Sequence, residues 1–350
     1  MTDPSGPESA STSDAPLSRR EAARARRAQS AADAGAGFQT HIRAARTEFE
    51  SQVAHARAEF EEANARIAQR TGRNLLLAIL IGLAAGAAVL GSLLFFKWIF
   101  LIFAVTAISL GIFEFGRALQ ASGRRVDLVP QLLAGALLLL SGAFTSLWLH
   151  WVAVIAAVVL VVVWRLLGQM FARDGRSYGD VLSDVLIGGF IQLYVPFMGS
   201  LAMVLLSQPD GEWWVLAFLI VTVAADTGAY FSGLTFGRGG RHLMAPRISP
   251  KKTWEGFAGA AVAALAAGVL LALFMLHLPW WAGLIFGAVI LGTATAGDLG
   301  ESMIKRDLGI KDMSSWLPGH GGVLDRLDSI LPSATGALAL FYLLSPLVVT

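Results

Sequence analysis

Between Gly297 and Asp328 the chain reads GDLGESMIKRDLGIKDMSSWLPGHGGVLDRLD. Three carboxylates in this stretch (Asp298, Asp325, Asp328) stand among the cations Lys305, Arg306, Lys311 and Arg326 and a His320-Gly321-Gly322 turn. Carboxylate oxygens without His or Cys clusters favour a hard ion such as magnesium over zinc, and Lys and Arg neutralise phosphate. Apolar runs of membrane-spanning length flank the stretch on both sides, where charge is costly to place. The residue types therefore point to a metal- and phosphate-binding site at a membrane surface. If the preceding helix continues into water, Asp298, Ser302 and Lys305 or Arg306 share one of its faces. Asp325 and Asp328, three apart, can also point the same way. The competing explanation pairs these carboxylates with Lys305, Arg306 and Arg326 as surface salt bridges. It suits any one of them better than all three.

Other residues could join that chemistry. Asp226, in VTVAADTGAYFSG, falls inside an apolar run, where an unpaired carboxylate is expensive. It reads as the lining of a polar cavity, with a protonated or Lys-paired structural Asp as the alternative. Tyr230 follows one turn on, and Gly228 and Gly233 would let another helix come close. The loop GRGGRHLMAPRISPKKTWEG (237–256) supplies glycines with Arg238, Arg241, Arg247, Ser249, Lys251 and Lys252, a composition able to cradle phosphate. Thr253 is a candidate N-cap for the helix that follows. Glu114 and Glu255, near span ends, could hold substrate or ions or serve structural pairs. His150 and His277 read as interface residues.

The elements that must position these groups follow from composition. The 350 residues are 55% hydrophobic and 15% charged, with mean hydropathy +0.62, too apolar for a water-soluble globule of this size. Without cysteine, disulfides and thiolate metal sites are excluded. Apolar runs at 75–96, 98–113, 130–149, 151–167, 183–206, 212–234, 254–277, 279–297 and 329–349 predict an all-α, polytopic membrane bundle of about nine transmembrane helices. With the N-terminus cytoplasmic, that count places 26 of the 27 Lys and Arg on the cytoplasmic side, leaving only Lys97 outside. The basic balance is thus explained by topology, and no nucleic-acid partner is expected.

Residues 1–18 are Ser, Pro, Asp and Gly with little that is apolar, and predict a disordered tail. From 19 to 74 apolar residues recur every three or four positions (Phe38, Ile42, Phe49, Val53, Phe60, Ile67), predicting a cytoplasmic amphipathic helix. Residues 75–350 then form the transmembrane catalytic domain. No secretory signal is visible, since the first apolar run begins near residue 75.

Read as a pattern, Ser302-x-Ile304-Lys305-Arg306, then Lys311-Asp312, then Pro318-x-His320-Gly321-Gly322-Val323-x-Asp325-Arg326-Leu327-Asp328 resembles the defining motif of the phosphatidate cytidylyltransferases, or CDP-diacylglycerol synthases. Ser249-Pro250-Lys251-Lys252-Thr253-Trp254-Glu255-Gly256 and the Asp226 to Tyr230 segment are similar to that family as well. The resemblance spans about residues 75–350 and leaves out the N-terminal 74. It implies an enzyme that joins CTP to phosphatidate, releasing pyrophosphate, at a cytoplasm-facing site in the cell membrane. It further implies magnesium with a monovalent cation such as potassium, and homodimers among membrane lipids. Asp298 and Asp325 would be the principal metal ligands with Asp328 beside them, while Ser302, Lys305, Arg306, Lys311 and His320 would surround phosphates or nucleotide. Alternatives are a CTP-dependent polyprenol or phytol kinase and, from another class, an ion-coupled transporter using Asp226 and Asp298 as relays.

Overall fold

The computed structural model describes residues 75–348 apart from 173–174, 238–241, 315 and 317–320, with backbone only at 75–81, 83 and 85. The tail at 1–18, the amphipathic helix at 19–74, Arg238, Arg241 and His320 lie outside the described residues. Helices follow one another as α1 (Leu75–Phe95), α2 (Lys97–Ala121), α3 (Leu128–Phe144), α4 (Leu147–Phe171), α5 (Tyr178–Gln192), a π turn (Leu193–Phe197), α6 (Met198–Leu206) and α7 (Gly211–Phe236). A hairpin, β1 (Leu243–Ala245) and β2 (Ser249–Thr253), leads to α8 (Trp254–Phe274), α9 (Trp280–Asp307), α10 (Leu324–Leu327) and α11 (Ile330–Leu344). Seven helical stretches among the described residues are long and apolar enough to cross a membrane, counting Tyr178–Leu206 and Leu324–Leu347 as one each; shorter apolar helices lie at Gly86–Phe95 and Leu128–Phe144. The chain is an integral membrane protein with an all-α polytopic body.

Several boundaries differ from the sequence expectation. The second helix runs on to Ala121, and α9 runs ten residues past the expected end at 297, to Asp307. In α9 the charged face at 298–306 continues the helix, because a polar surface ends an apolar run without ending helical hydrogen bonding. Between α3 and α4 the break falls at Thr145–Ser146, where Ser146 Oγ accepts from the Leu149 amide. His150 is therefore not an interface residue. It lies inside α4, fully buried, its two ring nitrogens bonded to Ser141 Oγ at 2.9 Å and Ser200 Oγ at 3.2 Å. The antiparallel hairpin, with Leu243 opposite Thr253 and Ala245 opposite Ser249, had no counterpart in the expectation.

Packing is most extensive between α7 and α8, then between α8 and α9. Small residues make the first contact possible. A Cβ at Gly228 would lie 2.6 Å from the Gly259 carbonyl oxygen, so only glycine permits the backbones to come this near. Farther from the hairpin, Trp214 of α7 meets Phe286 of α9 and Phe341 of α11 edge-on, at centroid distances of 6.0 and 5.3 Å. These contacts lock α7, α8, α9 and α11 into one block, and the site is built at its hairpin end.

Candidate active site

α7 and α9 both end beside the hairpin. Asp226 stands ten residues before the end of α7 (226 to 236) and Asp298 nine before the end of α9 (298 to 307). At 1.5 Å per residue each stands about 14–15 Å down its helix, and the two line one cleft. A cleft of about 210 Å³ opens between α7, α8, α9 and the hairpin, and its polar lining is Asp226, Tyr230, Lys251, Lys252, Thr253, Thr295 and Asp298. Its remaining wall is apolar and includes Phe257, Ala260, Leu291 and Ala294. Asp226 is exposed to the cleft, as the cavity-lining expectation requires.

The hairpin is what brings two lysines over this cleft. Thr253 Oγ1 accepts from the Gly256 amide at 3.1 Å and caps α8, so β2 runs directly into a helix start and holds Lys252 above α9. Lys252 Nζ is ion-paired with Asp298 Oδ2. Ser302 Oγ donates to Asp298 Oδ1 at 3.4 Å, one helical turn away. Arg306 Nε donates to the Ile248 carbonyl at 3.2 Å and Nη1 to the Ile310 carbonyl at 3.3 Å, tying the hairpin to the turn after α9. Arg306 thus fastens backbone here. Ser249 opens β2, and Lys311 is exposed beyond α9.

Beside the cleft lies a second acidic group. Lys305 Nζ donates to Glu301 Oε2 at 2.9 Å and to Asp325 Oδ1 at 2.8 Å, linking α9 to α10. Asp325 Oδ2 accepts from the Gly322 amide at 2.7 Å and the Met313 amide at 3.0 Å, so it folds the connecting loop around itself. Each carboxylate oxygen offers two lone pairs. Those of Oδ2 are taken, whereas Oδ1 keeps one beyond the Lys305 bond. Gly297 packs so closely against the Asp328 carbonyl that any side chain there would collide with it, which sets Asp328 next to α9. Asp328 Oδ1 accepts from the Ser329 amide at 2.6 Å, and the Asp328 carboxyl faces that of Glu301. Arg326 is exposed and acts electrostatically on Asp226, as do Asp298, Asp328 and Lys252.

Two residues in this assembly go beyond the sequence reading, which gave Glu301 no role and left Glu114 between holding substrate or ions and serving a structural pair. Glu301 is fully buried, and its Oε1 has no hydrogen-bond partner among the described residues. Its position three residues after Asp298 and four before Lys305 was the available signal. Glu114 of α2 is 2% exposed and accepts from Ser314 Oγ at 2.5 Å, the Val323 amide at 3.0 Å and the Leu324 amide at 2.9 Å. It clamps the loop that carries Asp325 from across the bundle. Nothing local in the sequence reveals a partner some 200 residues away.

These residues fit a hard divalent cation. Glu301 and Asp328 meet carboxyl to carboxyl, Glu301 Oε1 has no partner among the described residues, and Asp298 and Asp325 keep lone pairs available. Among the described residues no three His, Asp or Glu side chains form a ready-made cage. Magnesium, which retains waters and is commonly shared between one or two carboxylates and substrate phosphates, does not require one.

Comparison with known proteins gives this geometry its context. The cytidylyltransferase family matches residues 76–344. A Mycobacterium bovis phosphatidate cytidylyltransferase is 37% identical over 288 residues, covering 79% of this chain and 90% of the relative. That of Mycobacterium leprae is 38% identical over 291 residues, with 79% and 90% covered. One from Brucella suis is 31% identical over 265 residues, with 73% and 90% covered.

Proposed function

The chain belongs to the cytidylyltransferase family, and from that premise we propose that it joins CTP to phosphatidate, forming CDP-diacylglycerol and pyrophosphate. The observation that carries this reading is the cleft itself. Two carboxylates (Asp226, Asp298) and two lysines (Lys251, Lys252) meet at one end of a membrane bundle, against a largely apolar wall. A lipid phosphate and a nucleotide triphosphate both require such a place, one arriving from the bilayer and the other from water.

The phosphate monoester is already anionic near neutral pH and needs no strong base. One of its oxygens attacks the α-phosphorus of CTP, a new P–O bond forms, and the bond from that phosphorus to the bridging oxygen of pyrophosphate breaks. The difficulty is bringing two anions into line. Lys251 and Lys252 neutralise triphosphate charge, with Ser249, Tyr230 and Asp226 at the cleft wall and mouth. Lys305, held between Glu301 and Asp325, keeps a positive charge fixed beside the departing pyrophosphate. Arg306 holds the hairpin, Lys311 and Arg326 supply further phosphate contacts, and His320 is given a phosphate or nucleotide role on the resemblance alone. Asp298, Asp325 and Asp328, with Glu301 behind them, would hold magnesium, which when bound supplies Lewis-acid stabilisation of the phosphates. A monovalent cation such as potassium is proposed on the resemblance, as is a homodimer. We place the protein in the cell membrane with its N-terminus and cleft cytoplasmic, in keeping with the distribution of Lys and Arg.

Incubation with α-labelled CTP and phosphatidate, with and without magnesium, tests the reading. Label should enter lipid only when both substrates and the metal are present. Transfer of γ-label alone would identify a lipid kinase, and ion flux without nucleotide would identify a transporter.

A further inference from the structure

Two lysines stand on the carboxylates of this site, and they are held differently. Lys305 grows from α9 and bridges two partners, Glu301 Oε2 at 2.9 Å and Asp325 Oδ1 at 2.8 Å, with its side chain 11% exposed. Lys252 comes from β2 and reaches one carboxylate among the described residues, Asp298 Oδ2, with 27% of its own side chain and 30% of that of Asp298 exposed. Both members of this second pair line the cleft. A buried ammonium between two carboxylates is fixed, because its departure strands charge in a dry place. A half-exposed pair facing open space is weak and exchanges readily.

The backbone under Lys252 does not share that freedom. Thr253 caps α8 through the Gly256 amide at 3.1 Å, Leu243 lies opposite Thr253 in the hairpin, and Arg306 Nε donates to the Ile248 carbonyl at 3.2 Å. What can move is the four-carbon stem with its ammonium, swinging about a fixed root. Both ends of the pair also have other work in the proposed reaction, Asp298 as a ligand of the divalent cation and Lys252 as a neutraliser of triphosphate. One carboxylate oxygen cannot hold an ammonium and a dication together, since like charges so close repel.

We propose that Lys252 is the exchangeable counter-ion of the cation site, neutralising Asp298 until a divalent cation binds there and then turning to substrate phosphate. The inference rests on the reading of Asp298 as a metal ligand. The carboxylate is then never left as a bare charge beside an apolar wall, and the ammonium is released only when the cation is in place. Cation and nucleotide favour each other's binding by the same factor in either direction. Lys305, with two partners, keeps its post throughout.

The test uses the full chain in phosphatidylcholine nanodiscs without nucleotide, with Mn²⁺ as the probe and free Mn²⁺ counted by its electron paramagnetic resonance signal. Lys252→Met removes the competitor for Asp298 and should bind Mn²⁺ about fivefold more tightly, the upper range for a partly exposed ion pair. Lys251→Met removes an equal charge from the same cleft and should shift the affinity by less than about twofold. A second readout needs no substitution. Acetylation of Lys252 by a water-soluble active ester, located by mass spectrometry, should rise several-fold relative to Lys251 when Mn²⁺ is added to the wild-type protein. Unchanged or weaker Mn²⁺ binding in Lys252→Met, with binding lost in Asp298→Asn, would overturn the proposal by showing that the ammonium only positions the carboxylate. Equal tightening in Lys251→Met would overturn it as a general effect of charge, and so would Lys252 acetylation indifferent to Mn²⁺. Equal Mn²⁺ binding by wild type and Asp298→Asn would remove the cation site itself, and this inference with it, whatever Lys252→Met shows.

Discussion

Two clusters of buried charge in this bundle are built on opposite terms. Between α4 and α5, Asp184 is 2% exposed and accepts from Arg165 at 2.8 Å, Arg176 at 2.7 Å and the Arg125 amide at 3.0 Å. One carboxylate there serves two guanidinium groups. The adjoining crevice of about 10 Å³ has room for roughly one water to meet the unpartnered Arg165 nitrogens. Around α9 and α10 the balance is reversed. Asp298 pairs with Lys252 while Glu301 and Asp325 share Lys305, next to a cleft some twenty times larger that Asp226 also lines. A carboxylate saturated by its own chain is architecture, whereas one with lone pairs to spare beside open space can act on what arrives. Burial of charge does not separate the two clusters; unused coordination capacity does.

The contrast can be broken experimentally. Asp298→Asn should lower CTP incorporation into lipid by about 10²–10³-fold, since a charge-stabilising group at the reacting phosphates is lost. Its melting temperature should hold, and a large loss of stability with normal turnover would make this cluster architectural after all. Asp184→Asn should do the converse. It strips the counter-charge from buried Arg165 and should cost about 3–5 kcal/mol of stability, read by thermal unfolding in detergent, while the surviving folded protein keeps its turnover. Glu114→Gln lies between the two. Losing charge-assisted acceptors for Val323 and Leu324 should loosen the loop carrying Asp325, slow turnover about tenfold and speed proteolysis between residues 312 and 323. The smallest effect is expected from Lys97→Met, whose pair with Glu212 (2.7 Å) leaves the lysine side chain 51% exposed. It should change stability by less than about 1 kcal/mol and leave label incorporation unchanged.

Much of this was legible in the residues themselves. Apolar run length gave an order of spans that the helices follow, seven stretches being long enough to cross a membrane and two shorter among the described residues. The one-face spacing of Asp298, Ser302 and Lys305 held only on the condition that α9 continue past its apolar part, which it does. What could not be read was pairing across long stretches of chain. His150 looked like an interface residue because its partners, Ser141 and Ser200, belong to other helices. Arg165 and Asp184 look like two stray charges until α4 and α5 are packed together. The hairpin at 243–253 was hidden for another reason. Strands of three and five residues give too short an alternation to stand out from a basic loop.

The grip of Arg306 on the hairpin falls on main-chain oxygens, at Ile248 and Ile310. Such a fastening is indifferent to which side chains occupy those two positions but sensitive to how many residues separate them from their neighbours. Spacing, more than composition, is therefore what this corner of the molecule must preserve. One extra residue between Ala245 and Ser249 would lift Lys252 away from Asp298 with every named side chain still present, an enzyme complete in its parts list and out of register.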